Sequence, residues 1–276
     1  MVSCTYIAPT RAFFSIIAGM LLISAHPTSA TGTRDMLAAR QASSLASKYL
    51  YHGEATYYSD TIPADGAAQF TCSFPYLSPW AQKYFVAINE VMWDQGRNCG
   101  RCVKVTCTDP ECNGKPDVIA FIVDMCPTCS NGDLDFAMSP WSDLSGITPG
   151  RVQISWNFTS CHNYITDTIK YAPKQGSNKY WQAFHFSNSR YRPYWVKLNG
   201  KELKMSNENF WIHDAEASAP FKFEMMSWGG STVSFEINDL FMGADTGVQF
   251  LGYFANARSA SSSNKPKKET TGLIFT

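Results

Sequence analysis

From Val152 to Thr159, apolar Val152, Ile154, Trp156 and Phe158 alternate with Gln153, Ser155, Asn157 and Thr159. That period of two is the mark of a strand with one face buried. Shorter runs of the same character, ATYYS, CVKVTC and DVIAFIVDM, precede it and are separated by turn-rich segments. FVAINEVMWDQ breaks the pattern, because Phe85, Ile88 and Met92 are spaced for one face of a helix. Further on, Tyr194, Val196 and Leu198 alternate with Trp195 and Lys197 ahead of Asn199-Gly200, a dipeptide suited to a tight hairpin turn. Phe221, Phe223 and Met225, then Gly229-Gly230, then Val233, Phe235 and Ile237 predict a second hairpin. Short strands at this spacing predict an all-β chain whose second half is a β-sandwich.

The ends of the chain read differently. Arg11 is followed by an apolar run from Ala12 to Ile23 and by the small-residue ending Thr28-Ser29-Ala30, the pattern of a secretory signal peptide over residues 1–30. Residues 31–48 are small, polar and Ala/Ser-rich, a linker or pro-segment. The first unit is then 49–163 and the second 164–256. Residues 257–276 are of low complexity and predicted to be disordered. No stretch after the leader is long enough to span a bilayer, so the expectation is a secreted, extracellular protein.

Cysteine usage sharpens that expectation. Of 9 cysteines, removal of the leader takes Cys4 and leaves eight, all between Cys72 and Cys161. CGRC (99–102) and CPTC (126–129) together would be a zinc signal in a cytosolic chain. An export leader and four further cysteines favour disulfides instead, although spacing alone allows 105 pairings. His52, His162, His185 and His213 lack ligand spacing, and no metal or cofactor is expected. Lys+Arg equals Asp+Glu at 23 each, so no net charge steers the chain to nucleic acid or an anionic membrane. Aromatic residues make up 14%, with 8 Trp and 13 Tyr, a supply of rings on which sugar faces can stack.

The candidate chemistry lies in three carboxylates. Asp124 ends a strand-like run, and Asp133 and Asp135 follow the CPTC turn; with Leu134 pointing inward, both would share one outward face. Carboxylates so placed can supply a general acid and a base or nucleophile. The alternative is a set of solvated turn acids.

In order along the chain, GEATYYS, RNCGRCVKVTC, DPECNGKPDVIAFIVD, GDLDFAMSPWSDLSG and GRVQISWNFTSC resemble the first domain of expansins and expansin-like proteins. That domain is a six-stranded double-psi β-barrel related to barwin and to the family 45 endoglucanases. GSNKYWQAFHFSNSRYRPYWVKLNG is similar to part of the expansin carbohydrate-binding domain, an immunoglobulin-like β-sandwich. The resemblance implies the pairs Cys72–Cys99, Cys102–Cys161 and Cys107–Cys112, which leaves Cys126 with Cys129. It also implies site roles for Thr56, Asp124 and Asp135, with Asp135 matching the general acid of the endoglucanases. Bacterial expansins carry a tyrosine where this chain has Cys126, and Tyr57 or Tyr58 is the candidate substitute. The endoglucanases' base motif is absent, Ala-Thr-Tyr-Tyr standing in its place.

An acid without a base should hydrolyse a glycan poorly, and the resemblance implies what it implies for expansins: binding and loosening of cell-wall polysaccharide, namely cellulose, xyloglucan or another β-glucan, without hydrolytic turnover. Asp124 serving as replacement base would make the chain a hydrolase of the endoglucanase type. A barwin-like carbohydrate-binding defence protein is the other alternative. In the second unit Tyr180 and Trp181 match an aromatic pair of the family's binding face. Alternation turns Phe184 and Phe186 inward and Trp181, Ala183 and His185 outward; Trp195 is outward by the same count. Trp181 and Trp195 on neighbouring strands would form one stacking platform; adjacent Tyr180 and Trp181 cannot both face out of an ideal strand, so a bulge is required or one of them is core. Asn157-Phe158-Thr159 is a glycosylation sequon, and the protein is expected to act as a monomer.

Overall fold

The computed structural model describes residues 49–59, 69–112, 114–147 and 150–251. The expected signal peptide, linker and C-terminal tail lie outside the described residues.

Six strands form the first unit: β1 (Tyr51–Ser59), β2 (Phe85–Asn89), β3 (Cys102–Cys107), β4 (Val118–Cys126), β5 (Leu134–Ala137) and β6 (Val152–Thr159). They close a barrel in the order β1-β5-β2-β4-β3-β6, with β1–β5 and β2–β4 parallel and the other neighbours antiparallel. The alternating apolar face of β6 fills the interior, where Trp156 has no exposed surface and Val152 and Ile154 almost none. Each such buried side chain contributes about 1.5–3 kcal/mol.

The segment with helical spacing is mostly strand. Phe85–Asn89 pairs with both β4 and β5 and all five residues are buried, so no polar face survives to betray its period of two. Helix is confined to the single turn Glu90–Trp93, where the Asn89 side chain accepts from Met92 N at 3.0 Å.

The second unit comprises β7 (Lys170–Pro173), β8 (Gln182–Ser187), β9 (Pro193–Leu198), β10 (Lys201–Glu202), β11 (Lys204–Met205), β12 (Trp211–His213), β13 (Phe221–Ser227), β14 (Thr232–Ile237) and β15 (Ala244–Asp245). A four-stranded sheet, β10-β9-β13-β14, lies against a five-stranded one, β11-β12-β8-β7-β15. Phe184 from one sheet meets Phe223 from the other edge-to-face at 5.3 Å, with Tyr171, Val196 and Leu198 around them. Both hairpins form as their sequences suggest. Asn199 (φ 49°) and Gly200 (φ 81°) supply the positive angles of the β9–β10 turn, and β13 pairs with β14 from Phe221↔Ile237 to Met226↔Thr232.

Four disulfides staple the barrel: Cys72–Cys99, Cys102–Cys161, Cys107–Cys112 and Cys126–Cys129. These are the pairs the resemblance implies. The two CxxC motifs therefore part company, since CPTC closes on itself while the cysteines of CGRC bond to different distant partners.

The units touch through the outer side of the five-stranded sheet. His185 points away from Phe184 and Phe186 as alternation requires, yet it is only 1% exposed. The barrel covers it: its Nε2 lies 2.9 Å from Cys72 O and its ring packs against Phe74, while Phe210 of its own unit closes the other side. Ala183 beside it is buried too. Burial pushes the His185 pKa down to about 4, so the ring is neutral at physiological pH. Alternation identifies a face; it does not reveal that another unit sits on that face.

Candidate functional site

Strand pairing assembles the site. Thr56 on β1 stands opposite Asp135 on β5, Asp135 opposite Ala87 on β2, and Ala87 opposite Asp124 on β4. A single row, Thr56–Asp135–Ala87–Asp124, thus crosses four adjacent strands. A register shift between Val86 and Ala87 skips Val123 and brings Asp124 into this row. With strands about 4.8 Å apart, the two aspartate backbones lie roughly 10 Å from each other across the small side chain of Ala87.

Each carboxylate is held differently. Thr56 Oγ1 donates to Asp135 Oδ1 at 2.6 Å. The Asp135 carboxyl titrates above the usual aspartate value, chiefly because burial disfavours its charge; the Thr56 hydrogen bond and Arg151 pull the other way, and Asp124 adds a further upward push. Asp124 Oδ1 accepts from Thr71 N (2.9 Å), Thr71 Oγ1 (2.7 Å) and Met125 N (2.9 Å), which fixes that carboxylate's orientation. Tyr58 completes the group. Its ring packs edge-on against Phe70 and Phe85, and its hydroxyl is pushed above the ordinary tyrosine range by burial first and then by the charges of Asp124 and Asp135. Tyr58 keeps 37% of its surface open to solvent beside both carboxylates. Tyr57 instead packs on Trp141, ring centroids 5.1 Å apart.

Asp133 does not share the face of Asp135. It precedes β5, is 8% exposed, and accepts from Glu54 N (2.8 Å) and Ser130 N (2.9 Å). It ties the end of the cysteine turn to β1. Beside it Gly53 and Gly132 cross at backbone contact, a Cβ on Gly132 falling 2.1 Å from His52 O, so glycine is required there. The Cys126–Cys129 bond, Asp133 and this crossing together brace the segment that delivers Asp135. Thr71 and Ala87 were not singled out by the sequence; the alanine inside the apolar run FVAIN was the signal for the second.

The aromatic candidates are distributed over two surfaces. Asn178 Oδ1 accepts from Tyr180 N and Trp181 N, so these residues lie in a turn before β8, where strand alternation does not apply. Tyr180 is exposed and Trp181 half-buried without a strand bulge between them, and neither is core. Trp181 borders a shallow depression of about 330 Å³ with Lys174, Glu208, Phe210 and Ile212 on the five-stranded sheet. Trp195 borders another of about 310 Å³ with Glu224, Thr232 and Ser234 on the four-stranded sheet. The two tryptophans do not form one platform, because β8 and β9, consecutive in sequence, belong to opposite sheets. Asn157 is half-buried on β6, opposite Lys104.

No family model matches the chain. Expansin-like protein 1 of Dictyostelium discoideum is 26% identical over 190 residues, 65% of this chain and 63% of that protein. Expansin-like protein 6 of the same organism is 27% identical over 219 residues, 71% and 69% of the two chains. In sequence the chain is similar to expansin-like proteins. The first of these matches spans somewhat under two thirds of its relative's length and the second slightly more. A mutant Clavibacter michiganensis expansin, solved in complex with cellohexaose, superposes with a TM-score of 0.62 at 19% identity, over 74% of this chain and 98% of that one. The expansin architecture of barrel plus sandwich is therefore shared.

Proposed function

We propose that this protein is secreted, binds β-glucan of the cell-wall type and loosens it without cutting it. The observation that carries this reading is the row Thr56–Asp135–Ala87–Asp124: one partly buried carboxyl with raised proton affinity, a second locked by three donors, and a small residue between them. In this reading Asp135 presents a proton-bearing carboxyl to a glycan oxygen, with Thr56 fixing its orientation. Tyr58 supplies the hydroxyl that Cys126 cannot. Asp124 accepts from sugar hydroxyls through the oxygen not engaged by Thr71 and Met125. Chain and glucan exchange hydrogen bonds, and no covalent bond is broken.

Trp181 and Tyr180 extend this surface. They lie on the sheet whose outer side packs against the barrel near Cys72, one residue from Thr71. A glucan chain lying across both units would meet them rather than Trp195, whose place on the opposite sheet gives it a separate contact at most. The neighbouring structure's cellohexaose supports an uncharged glucan as the ligand class.

A hydrolytic reading has one observation in its favour, the spacing of Asp124 and Asp135 across a single strand, which leaves room for a water between acid and base. The deciding experiment is a long incubation with insoluble cellulose and xyloglucan, following both the extension of wall strips under load and soluble sugar. Extension with release below one product per protein molecule supports loosening. Release over many turnovers makes Asp124 the base and the protein an enzyme.

A further inference from the structure

Thr71, which holds the Asp124 carboxylate through both its N–H and its hydroxyl, lies in none of the six barrel strands. It belongs to a turn in which Ser73 N donates to Phe70 O at 2.7 Å and Ser73 takes a φ of 52°. Barrel ties reach this turn from one side: Cys72 N donates to Val123 O at 3.1 Å, and the Cys72 sulfur is bonded to Cys99. From the other side the sandwich holds it. Asn209 Nδ2 donates to Cys72 O at 3.2 Å, and His185 Nε2 stands 2.9 Å from the same oxygen and 3.0 Å from the Asn209 nitrogen. His185 is neutral at physiological pH and its Nδ1 is buried without a partner, so the single ring proton belongs on Nε2 and the ring is the second donor.

Asn209 sits between β11 and β12 in the turn 206–210, where Ser206 Oγ accepts from Glu208 N and Phe210 N. Its φ of 65° is left-handed, a conformation that asparagine tolerates better than most residues. Glu208 and Phe210, on either side of it, border the depression beside Trp181, whereas Asn209 turns toward the barrel and is buried. The barrel comes equally close at Gly96, where a Cβ would fall 2.7 Å from Asn207 O. One turn of the sandwich thus lines the Trp181 depression with two residues and grips Cys72 with the residue between them. A buried carbonyl that loses its donors cannot turn to water, so these two bonds are costly to give up.

We infer that Asn209 and His185 are positioning residues for Asp124: by holding Cys72 O they keep Thr71 on that carboxylate, so the sandwich sets the geometry of the barrel's site as well as offering its own surface. The importance of this link for loosening rests on the carboxylate row being the working site.

The test uses the full chain in two variants. Asn209→Gly deletes the donor and keeps the positive φ without strain. His185→Phe keeps a ring against Phe74 and deletes Nε2. Amide hydrogen exchange, read residue by residue by NMR, should become about five- to tenfold faster at Thr71 and Cys72 in each variant, while β3, β6 and β13 stay within about twofold of wild type. Glucan binding should hold within about twofold as wall extension falls at least about fivefold. Unchanged exchange at Thr71 in both variants, or acceleration shared equally by all strands as a merely structural contact would give, overturns the inference. Faster exchange at Thr71 with wild-type extension upholds the link and overturns the role given to Asp124 in loosening. Should one variant fail to fold, the other decides.

Discussion

Thr56→Val replaces the hydroxyl that donates to Asp135 with a methyl of nearly the same size, leaving the β-branched backbone preference intact. What is lost is one short hydrogen bond, 2.6 Å, to a carboxylate in a partly buried setting. Hydrogen bonds to charged groups contribute about 1.5–3 kcal/mol, and partial solvent access reduces this to roughly 1–2 kcal/mol. For a protein of this size that lowers the unfolding midpoint by roughly 3–6 °C at pH 7.

The pH dependence is specific. The folded-state pKa of Asp135 is raised, so protein stability falls as pH rises through it, and the Thr56 hydrogen bond opposes that fall by favouring the carboxylate. In Thr56→Val the folded pKa moves further up. The stability gap between wild type and variant is therefore full above the folded pKa and closes as pH drops below the ordinary value of 3.8. Calorimetry of both proteins at pH 7 and near pH 3 measures it. A gap of equal size at both pH values, or a more stable variant at pH 7, would refute the role assigned to this bond.

Three further outcomes are expected. Trp181→Ala should weaken pull-down on insoluble glucan several-fold, each stacked ring contributing on the order of 1 kcal/mol, whereas Trp195→Ala should leave it within about twofold; equal losses would mean that both sheets engage the ligand. Removing Cys102–Cys161, which closes a separation of 59 residues, should cost about 4 kcal/mol, against about 2 kcal/mol for Cys126–Cys129 with a separation of 3, as read by denaturant midpoints. Loss of the short bridge should nevertheless be the more damaging to wall loosening, because it braces the turn that delivers Asp135; loosening unchanged in Cys126→Ser/Cys129→Ser would remove that role.

Much of the architecture follows from local pattern, and the departures have physical causes. The alternation in Val152–Thr159 and the turn chemistry of Asn199-Gly200 survive because each strand buries one face and each turn needs its own residues. Phe85–Asn89 reads as helix because burial on both sides erases the polar half of its period. His185 is assigned its face rightly but its environment wrongly, since the barrel that covers it is distant in sequence. Trp181, in the turn before β8, and Trp195, on β9, belong to successive elements of the chain yet fall on opposite sheets, and alternation carries no information on sheet membership. Asp124 and Asp135 stand out with Asp133 as a carboxylate cluster, but only the ordered resemblance separates them from Asp133 and adds Thr56. Their meeting in one row depends on two parallel pairings and a register shift, all of them long-range. Asp133 and Asp135 look equivalent in sequence, but only the second lies within a strand.

The most direct test of the central claim is Asp135→Asn, measured for cellulose binding and for wall extension on the same preparations. The substitution keeps the shape and removes the titrating proton. We expect binding within about twofold of wild type and loss of nearly all extension. Extension retained at the wild-type level would contradict the account, whatever the variant's binding.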